Sequence, residues 1–165
     1  MIAILASMIL AAAAPPQPRA ADGQCHAGVA NEIAVRITGF RSRAGQVRVR
    51  LFGGATSTYF DKKQALVRIE RPVPASGAVT ICVVAPKPGL YAVDVRHDEN
   101  GDGKTDKSDG GGTSGNPRIS LFDMLLSRKP DPAKVQFPVG AGTTIVPVTL
   151  MYLDGGTFKP IRASD

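Results

Sequence analysis

Residues 90–97 read Leu90-Tyr91-Ala92-Val93-Asp94-Val95-Arg96-His97. Tyr91, Val93 and Val95 alternate with Asp94 and Arg96, and this period of two is typical of a strand that buries one face and exposes the other. Further segments of the same kind lie at residues 33–38, 47–51, 67–69, 79–83, 135–139 and 144–153. The pattern therefore predicts about seven strands.

Turn-forming residues separate these strands, for example at Arg43-Ala44-Gly45 and Pro86-Lys87-Pro88-Gly89. Helical periodicity is weak, so we expect only short helices, at Thr56–Lys63 and Leu121–Leu126. Strands that bury one face each require two sheets packed face to face. The expected fold is all-β, a two-sheet β-sandwich of the immunoglobulin-like or transthyretin-like kind, with a closed barrel as the alternative.

The N-terminal stretch indicates export. Residues Met1–Ala14 carry no charged side chain and end in four alanines, just before Pro15-Pro16-Gln17-Pro18. This composition is typical of a secretory signal peptide, although no basic residue precedes the apolar run. A buried strand or helix is the alternative, and the run is too short to span a bilayer.

The chain of 165 residues is long enough for one domain. We expect a signal peptide and linker at residues 1–21, cleaved after Ala14 or near Ala21. A single β-sandwich domain would follow at 25–153, with a C-terminal tail at 154–165. The mature protein would then be periplasmic or secreted and would contain no transmembrane segment.

The two cysteines, Cys25 and Cys82, are predicted to form a disulfide, since an exported chain matures in an oxidising compartment. Closing a loop of this length contributes about 4 kcal/mol in the chain-entropy description. The chain has no Cys-x-x-Cys motif, and His26 and His97 are its only histidines. Zinc binding and a catalytic thiol are therefore weaker interpretations.

The chain carries a net charge of +6, but its basic residues are scattered. Several arginines alternate with apolar residues, which indicates the solvated face of a sheet. They are Arg36, Arg48, Arg50, Arg68 and Arg96. An arginine-bearing face that binds polyanions is the alternative, whereas nine aromatic residues and no Trp argue against binding of single-stranded nucleic acid.

Residues 98–109 have the ligand spacing of a calcium loop. Oxygen-bearing side chains occupy positions 1, 3, 5, 9 and 12, a glycine that permits a sharp turn occupies position 6, and position 7 offers a backbone carbonyl. The predicted ligands are Asp98, Asn100, Asp102, Lys104 through its carbonyl, Asp106 and Asp109. Five acidic and two basic side chains give the loop a net charge of −3, which a bound cation would neutralise.

Two alternatives accompany the calcium hypothesis. Asp109 stands where a bidentate Glu is usual and is one methylene shorter, so magnesium could compete. The loop could also be a solvated turn in which Asp and Asn cap backbone amides. We expect His97 to face the core and consider it only as a residue that supports a ligand, and we interpret Gly110–Gly112 as a flexible connection rather than a phosphate-binding loop.

Two motifs resemble a known family. Pro88-Gly89-Leu90-Tyr91-Ala92-Val93 is followed by Arg96-His97-Asp98-Glu99-Asn100-Gly101-Asp102-Gly103-Lys104-Thr105-Asp106. Together they are similar to the signature of the exported bacterial family called domain of unknown function 2141, over roughly Cys25 to Tyr152. The resemblance implies a β-sandwich exported to the periplasm or beyond, with no established activity. Many members have Gly-x-Pro-x-Glu after the acidic loop, where this chain has Gly110–Pro117, so a ligand from beyond Asp109 is in doubt.

The sequence thus supports a non-enzymatic, exported module with a calcium-binding loop, which serves in binding or in the structure of the cell envelope. A basic envelope protein that binds polyanions is the second hypothesis. An enzyme acting on a surface glycan is the third, and it would need a cleft with a perturbed acid near His97. No Gly-x-Ser-x-Gly motif supports nucleophilic catalysis.

Overall fold

The computed structural model describes residues 23–118 and 128–161. Ten strands lie in this part of the chain. They are β1 Glu32–Thr38, β2 Gln46–Gly53, β3 Val67–Pro72, β4 Val79–Val84, β5 Gly89–Asp98, β6 Gly110–Thr113, β7 Phe137–Val139, β8 Thr144–Thr149, β9 Met151–Asp154 and β10 Thr157–Pro160. The helices are a 3-10 turn at Thr56–Thr58 and one α-helical turn at Pro132–Val135.

The strands form two sheets. The smaller has the order β4-β1-β8, with β1 antiparallel to β4 and parallel to β8. The larger has the order β10-β9-β6-β5-β2-β3, and β7 pairs with the start of β5 on the edge that β6 occupies further along. The prediction of an all-β, two-sheet sandwich is confirmed, and the described strands do not close into a barrel.

The core lies between the two sheets and is built by the alternating positions of the strands. Val47, Val49 and Leu51 of β2 are each at most 1% exposed. They pack with Ile33, Val35 and Ile37 of β1, and with Tyr91, Val93 and Val95 of β5. Burying an aliphatic side chain of this size contributes about 1.5–3 kcal/mol, so this one face accounts for most of the hydrophobic stabilisation.

A smaller apolar cluster covers one end of the outer face of the larger sheet. Phe52 of β2 and Ala92 of β5, which are register partners, pack there with Tyr59 and Val135. Val135 comes from the short helix, whose N-cap residue Asp131 accepts a hydrogen bond from the Ala133 amide. We refer to these four buried residues as the apolar cap.

Several sequence predictions need correction. Only Thr56–Thr58 of the helix expected at Thr56–Lys63 is helical. The segment 135–139 combines the end of a helix with β7. The strand expected at 144–153 breaks at Leu150, because β8 belongs to the smaller sheet and β9 to the larger. Leu150 is fully buried at this crossing, and its amide donates to the Thr38 carbonyl.

The C-terminal segment adds a strand to the larger sheet. The expected tail at 154–165 contains β10, which pairs with β9 through a turn at Gly155 and Gly156, both with positive φ. The predicted signal peptide and the helix expected at Leu121–Leu126 lie outside the described residues.

Cys25 and Cys82 form the predicted disulfide, and the Cys82 amide donates to the Gly23 carbonyl beside it. Within the described residues, no helix has the length and apolarity needed to cross a membrane.

Candidate cation-binding loop

The loop 98–109 connects two adjacent strands. β5 and β6 pair antiparallel, and the last pair in their register is His97 with Gly110. Asp98 and Asp109 immediately follow and precede this pair, so the first and last predicted ligands meet at the base of a hairpin. The pairing therefore closes the ends of the loop.

The glycines of β6 were interpreted as a flexible connection, and that prediction is wrong. A Cβ added to Gly110 would lie 2.4 Å from Cζ of the Tyr152 ring. One added to Gly112 would lie 2.7 Å from Cγ1 of Val148 and 2.8 Å from the Thr149 carbonyl oxygen. The missing side chains allow β6 to pack directly on β8 and β9, so these glycines serve close packing rather than mobility.

The connection between β1 and β2 fixes the start of the loop. Gly45 has a φ of +71°, and an added Cβ would lie 1.9 Å from the Asp98 carbonyl oxygen, so the two backbones touch. Arg41 pairs with the Glu99 carboxylate and donates to the Ser108 carbonyl at 2.6 Å. One side chain of this connection thus holds both arms of the loop.

His97 is fully buried next to the loop and joins a hydrogen-bonded chain with Tyr152. Its Nε2 lies 2.8 Å from the Ala44 carbonyl, which can only accept, so Nε2 carries the proton. Nδ1 then accepts from the Tyr152 hydroxyl at 2.5 Å. Burial raises the pKa of Tyr152 to about 12, which keeps this hydroxyl protonated. The expected core orientation of His97 is confirmed, and both ring nitrogens are engaged away from the loop oxygens.

Three of the six predicted ligands converge on one cationic group, the guanidinium of Arg96. Nη2 of Arg96 donates to Asp98 Oδ2 at 2.7 Å and also to the Lys104 carbonyl. Nε lies 3.0 Å from Asp109 Oδ2, an ionic contact in which the N–H does not point at the oxygen. The loop curls round this group because the Gly103 amide donates to Asp98 Oδ2 at 2.9 Å.

The other three predicted ligands are exposed and hold turns. Asn100 Oδ1 accepts from the Asp102 amide, and Asp102 Oδ1 accepts from the Lys104 amide. Asp106 Oδ1 accepts from the Ser108 amide and hydroxyl, and these bonds lower the pKa of Asp106. Across residues 23–118 and 128–161, no three His, Cys, Asp or Glu side chains are grouped so that they could hold a metal ion.

Each carboxylate at the base of the loop keeps one buried oxygen without a partner. Asp98 is 2% exposed and Asp109 is 7% exposed. Oδ1 of Asp98 and Oδ1 of Asp109 are both buried and accept no hydrogen bond, although burying a carboxylate oxygen unpaired is unfavourable. Desolvation accordingly raises the pKa of Asp109, and Arg96 opposes this only in part. Two carboxylate oxygens at the base of the loop are thus buried without a hydrogen-bond donor.

Three further arginines of the larger sheet, Arg48, Arg50 and Arg68, are paired with carboxylates on its outer face. Arg48 binds Glu70 through two hydrogen bonds of 3.1 and 2.8 Å, and Arg68 joins the same carboxylate. These bonds lower the pKa of Glu70 to about 2, and Arg48 has a larger effect than Arg68. Arg50 pairs with Asp94, although burial still raises the pKa of Asp94. Arg36 lies in β1 of the other sheet, so the arginines do not form one basic face.

The sequence pattern places Arg96 among the solvated arginines and does not predict its contact with the loop. The signal was present, since Arg96 and Asp98 are two residues apart and share a face of the strand. What the sequence lacked was the curl of the loop that brings the Lys104 carbonyl back over the strand. All three arginines, Arg48, Arg50 and Arg96, alternate with apolar residues in the same way, so the pattern does not show that Arg96 has a different partner.

The fold and the loop together define a two-sheet β-sandwich with an acidic hairpin loop at one end of its larger sheet. The sequence model of a family described as an uncharacterized protein conserved in bacteria, DUF2141, matches residues 35–146. The chain belongs to this family, which confirms the resemblance that its motifs indicated. Searches of the curated proteins and of the solved structures found no match to the chain.

Proposed function

We propose that this protein is an exported, non-enzymatic β-sandwich module of the cell envelope whose loop 98–109 binds calcium. The observation that carries the proposal is the pair of buried, unpartnered oxygens, Asp98 Oδ1 and Asp109 Oδ1. They belong to the first and last residues of a loop with calcium-ligand spacing, and β-strand pairing brings those residues together. Carboxylate and carbonyl oxygens of this kind preferentially bind hard divalent cations.

Charge supports the same proposal. Arg41 and Arg96, the two arginines that contact the loop, leave it with one net negative charge from its −3. The exposed side chains of Asn100, Asp102 and Asp106 are held by short-range turns and by one bond within the loop, from Asn100 Nδ2 to Asp106 Oδ2. They can turn inward without disturbing the sheet, whereas Asp98 and Asp109 are already in place. Calcium, which accepts six to eight oxygens in irregular geometry, suits such a loop better than magnesium.

Export is supported by the disulfide between Cys25 and Cys82, because structural disulfides persist in oxidising compartments. The apolar stretch Met1–Ala14 has the composition of a signal peptide. Binding of polyanions receives less support, since Arg48, Arg50 and Arg68 are already paired with carboxylates. We propose a non-enzymatic role because both ring nitrogens of the buried His97 are used in hydrogen bonds with Ala44 and Tyr152.

Calcium titration of the oxidised protein tests the proposal. A loop with the affinity of extracellular calcium modules should saturate at about 10 mM calcium and raise the thermal midpoint by several degrees. Asp98→Asn and Asp109→Asn should abolish this rise. Asp154→Asn is the matched control, because Asp154 is an exposed aspartate outside the loop. Equal thermal midpoints of the wild-type protein in calcium and in chelator would refute calcium binding.

A further inference from the structure

The guanidinium of Arg96 lies among the oxygens that the loop would offer a metal. Besides Asp98, Asp109 and the Lys104 carbonyl, it contacts Thr105 Oγ1 at 3.0 Å and the Gly103 carbonyl at 3.4 Å, both through Nη1. Its side chain is 13% exposed, and its contacts with Asp98 and Asp109 are shielded from water, whereas those with Gly103, Lys104 and Thr105 lie at the surface. A single side chain therefore makes five contacts with the loop.

We propose that Arg96 is a tethered cation that competes with calcium for the loop, so that the metal binds only as the guanidinium withdraws. This inference rests on the proposed function. Asp98 Oδ2, Asp109 Oδ2 and the Lys104 carbonyl can face either the guanidinium or a metal ion, and two cations at one centre repel each other. Arg96 thus sets the threshold for calcium, and the loop keeps its curled form when calcium is scarce.

The neighbours of Arg96 explain why its guanidinium lies over the loop. Across β2 its register partner is Arg48, another cation, whose carboxylate Glu70 is already bound through two hydrogen bonds. Across β6 its partner is Gly111, which has no side chain to compete for the space. Asp98 and Asp109 are the carboxylates that its ion pairs use. Calcium that takes these oxygens would release a positive charge onto the outer face of the sheet.

Replacement of Arg96 tests the competition, with Arg48 as its matched control. Arg48→Gln removes one positive charge from the adjacent position of the same sheet face, yet Arg48 pairs with Glu70 and not with the loop. Calcium affinity would be measured by isothermal titration calorimetry on oxidised protein. We expect Arg96→Gln to lower the calcium dissociation constant about tenfold or more relative to Arg48→Gln, because removing a cation that touches the ligands has the larger electrostatic effect. Arg96→Lys keeps the charge but loses the planar guanidinium. Its calcium dissociation constant should lie between those of wild type and Arg96→Gln.

A measurement on the wild-type protein does not depend on how the variants fold. The Arg96 Nε–H resonance should shift as calcium is added, with the same midpoint as the heat signal. An unchanged resonance at saturating calcium, or equal affinities in Arg96→Gln and Arg48→Gln, would overturn the competition and leave calcium binding intact. If Arg96→Gln bound calcium and the wild-type protein did not, the competition would be supported, and the proposal that the wild-type loop binds calcium would be refuted. Absence of binding in every variant would refute calcium binding itself and the competition with it.

Discussion

The two ends of the outer face of β2 and β5 are covered in opposite ways. At one end the apolar cap packs Phe52 and Ala92 under Tyr59 and Val135, all at most 1% exposed. At the other end, four register pairs along, the loop 98–109 covers the face with carboxylates and carbonyls gathered round Arg96. Both ends bury side chains, but through different interactions.

The difference lies in what each end leaves unsatisfied. The apolar cap is held by shape complementarity, and its stabilisation grows with the area it buries. The loop end buries charges, and such a cluster is stable only where every oxygen finds a donor or a cation. Asp98 Oδ1 and Asp109 Oδ1 have neither. The cap leaves the neutral Tyr59 hydroxyl buried without a partner, whereas the loop leaves two carboxylate oxygens, which attract a cation.

The largest effect should come from the apolar cap. Phe52→Ala removes a fully buried ring that lies edge-on to Phe60, and should lower the free energy of unfolding by about 3–5 kcal/mol. Leu90→Ala, at a leucine that is 52% exposed, is the control and should change it by less than about 0.5 kcal/mol. Urea unfolding measures both. A comparable loss in the two variants would contradict the description of the cap as a packed cluster.

The next effect should come from the strand that closes the loop. In Gly110→Ala the new methyl group would overlap the Tyr152 ring, which cannot give way because it is fully buried and bonded to His97. Such overpacking should lower the free energy of unfolding by about 1–3 kcal/mol. Gly111→Ala is the matched control, since its nearest atom would be 4.0 Å away. If the two variants unfold at the same urea concentration, β6 is not held by close packing.

The sequence predicted the strands that alternate, because a period of two directly reports which face is buried. It did not predict β6, because three glycines have low strand propensity and carry no pattern, and only the tertiary contacts of Gly110 with Tyr152 and of Gly112 with Val148 reveal why two of them are needed. It joined β8 and β9 into one strand, because a chain that crosses between sheets stays apolar throughout. Similarly, the ligand spacing of the loop is local and visible, whereas the convergence on Arg96 depends on tertiary structure.

Beside the loop end, the ion pair of Glu70 with Arg48 predicts a pH dependence. The pKa of Glu70 is lowered to about 2 by its hydrogen bonds with Arg48, so its charged form stabilises the folded state. This contribution is present above the usual glutamate pKa and is lost as the pH falls from about 4.5 towards 2. Glu70→Gln should therefore lower the free energy of unfolding by about 1–2 kcal/mol at pH 7, since water screens this partly exposed pair.

The measurement for Glu70 is a series of urea unfolding curves at decreasing pH. The difference between wild type and Glu70→Gln should shrink below pH about 4.5, as the wild-type carboxylate takes up a proton. Asp154→Asn removes a carboxylate whose side chain is 69% exposed and which lies 3.6 Å from Lys159, and it should show almost no difference at any pH. A Glu70→Gln difference that stayed constant down to pH 2 would mean that packing, and not charge, is what the substitution removes.

The smallest effect should come from the clamp that Arg41 places on the loop. Arg41 pairs with Glu99 and lowers the pKa of that carboxyl, but its side chain is 35% exposed, so the pair is well screened. Arg41→Gln should lower the free energy of unfolding by about 0.5–1 kcal/mol at low salt and by less at about 1 M salt. Arg43→Gln, two residues away and stacked on Phe40, is the control for loss of charge alone. Because Arg41 also holds the Ser108 carbonyl, Arg41→Gln should speed amide exchange in the loop while leaving the apolar cap protected. Faster exchange at both ends would show that the two coverings of the sheet are one cooperative unit rather than two.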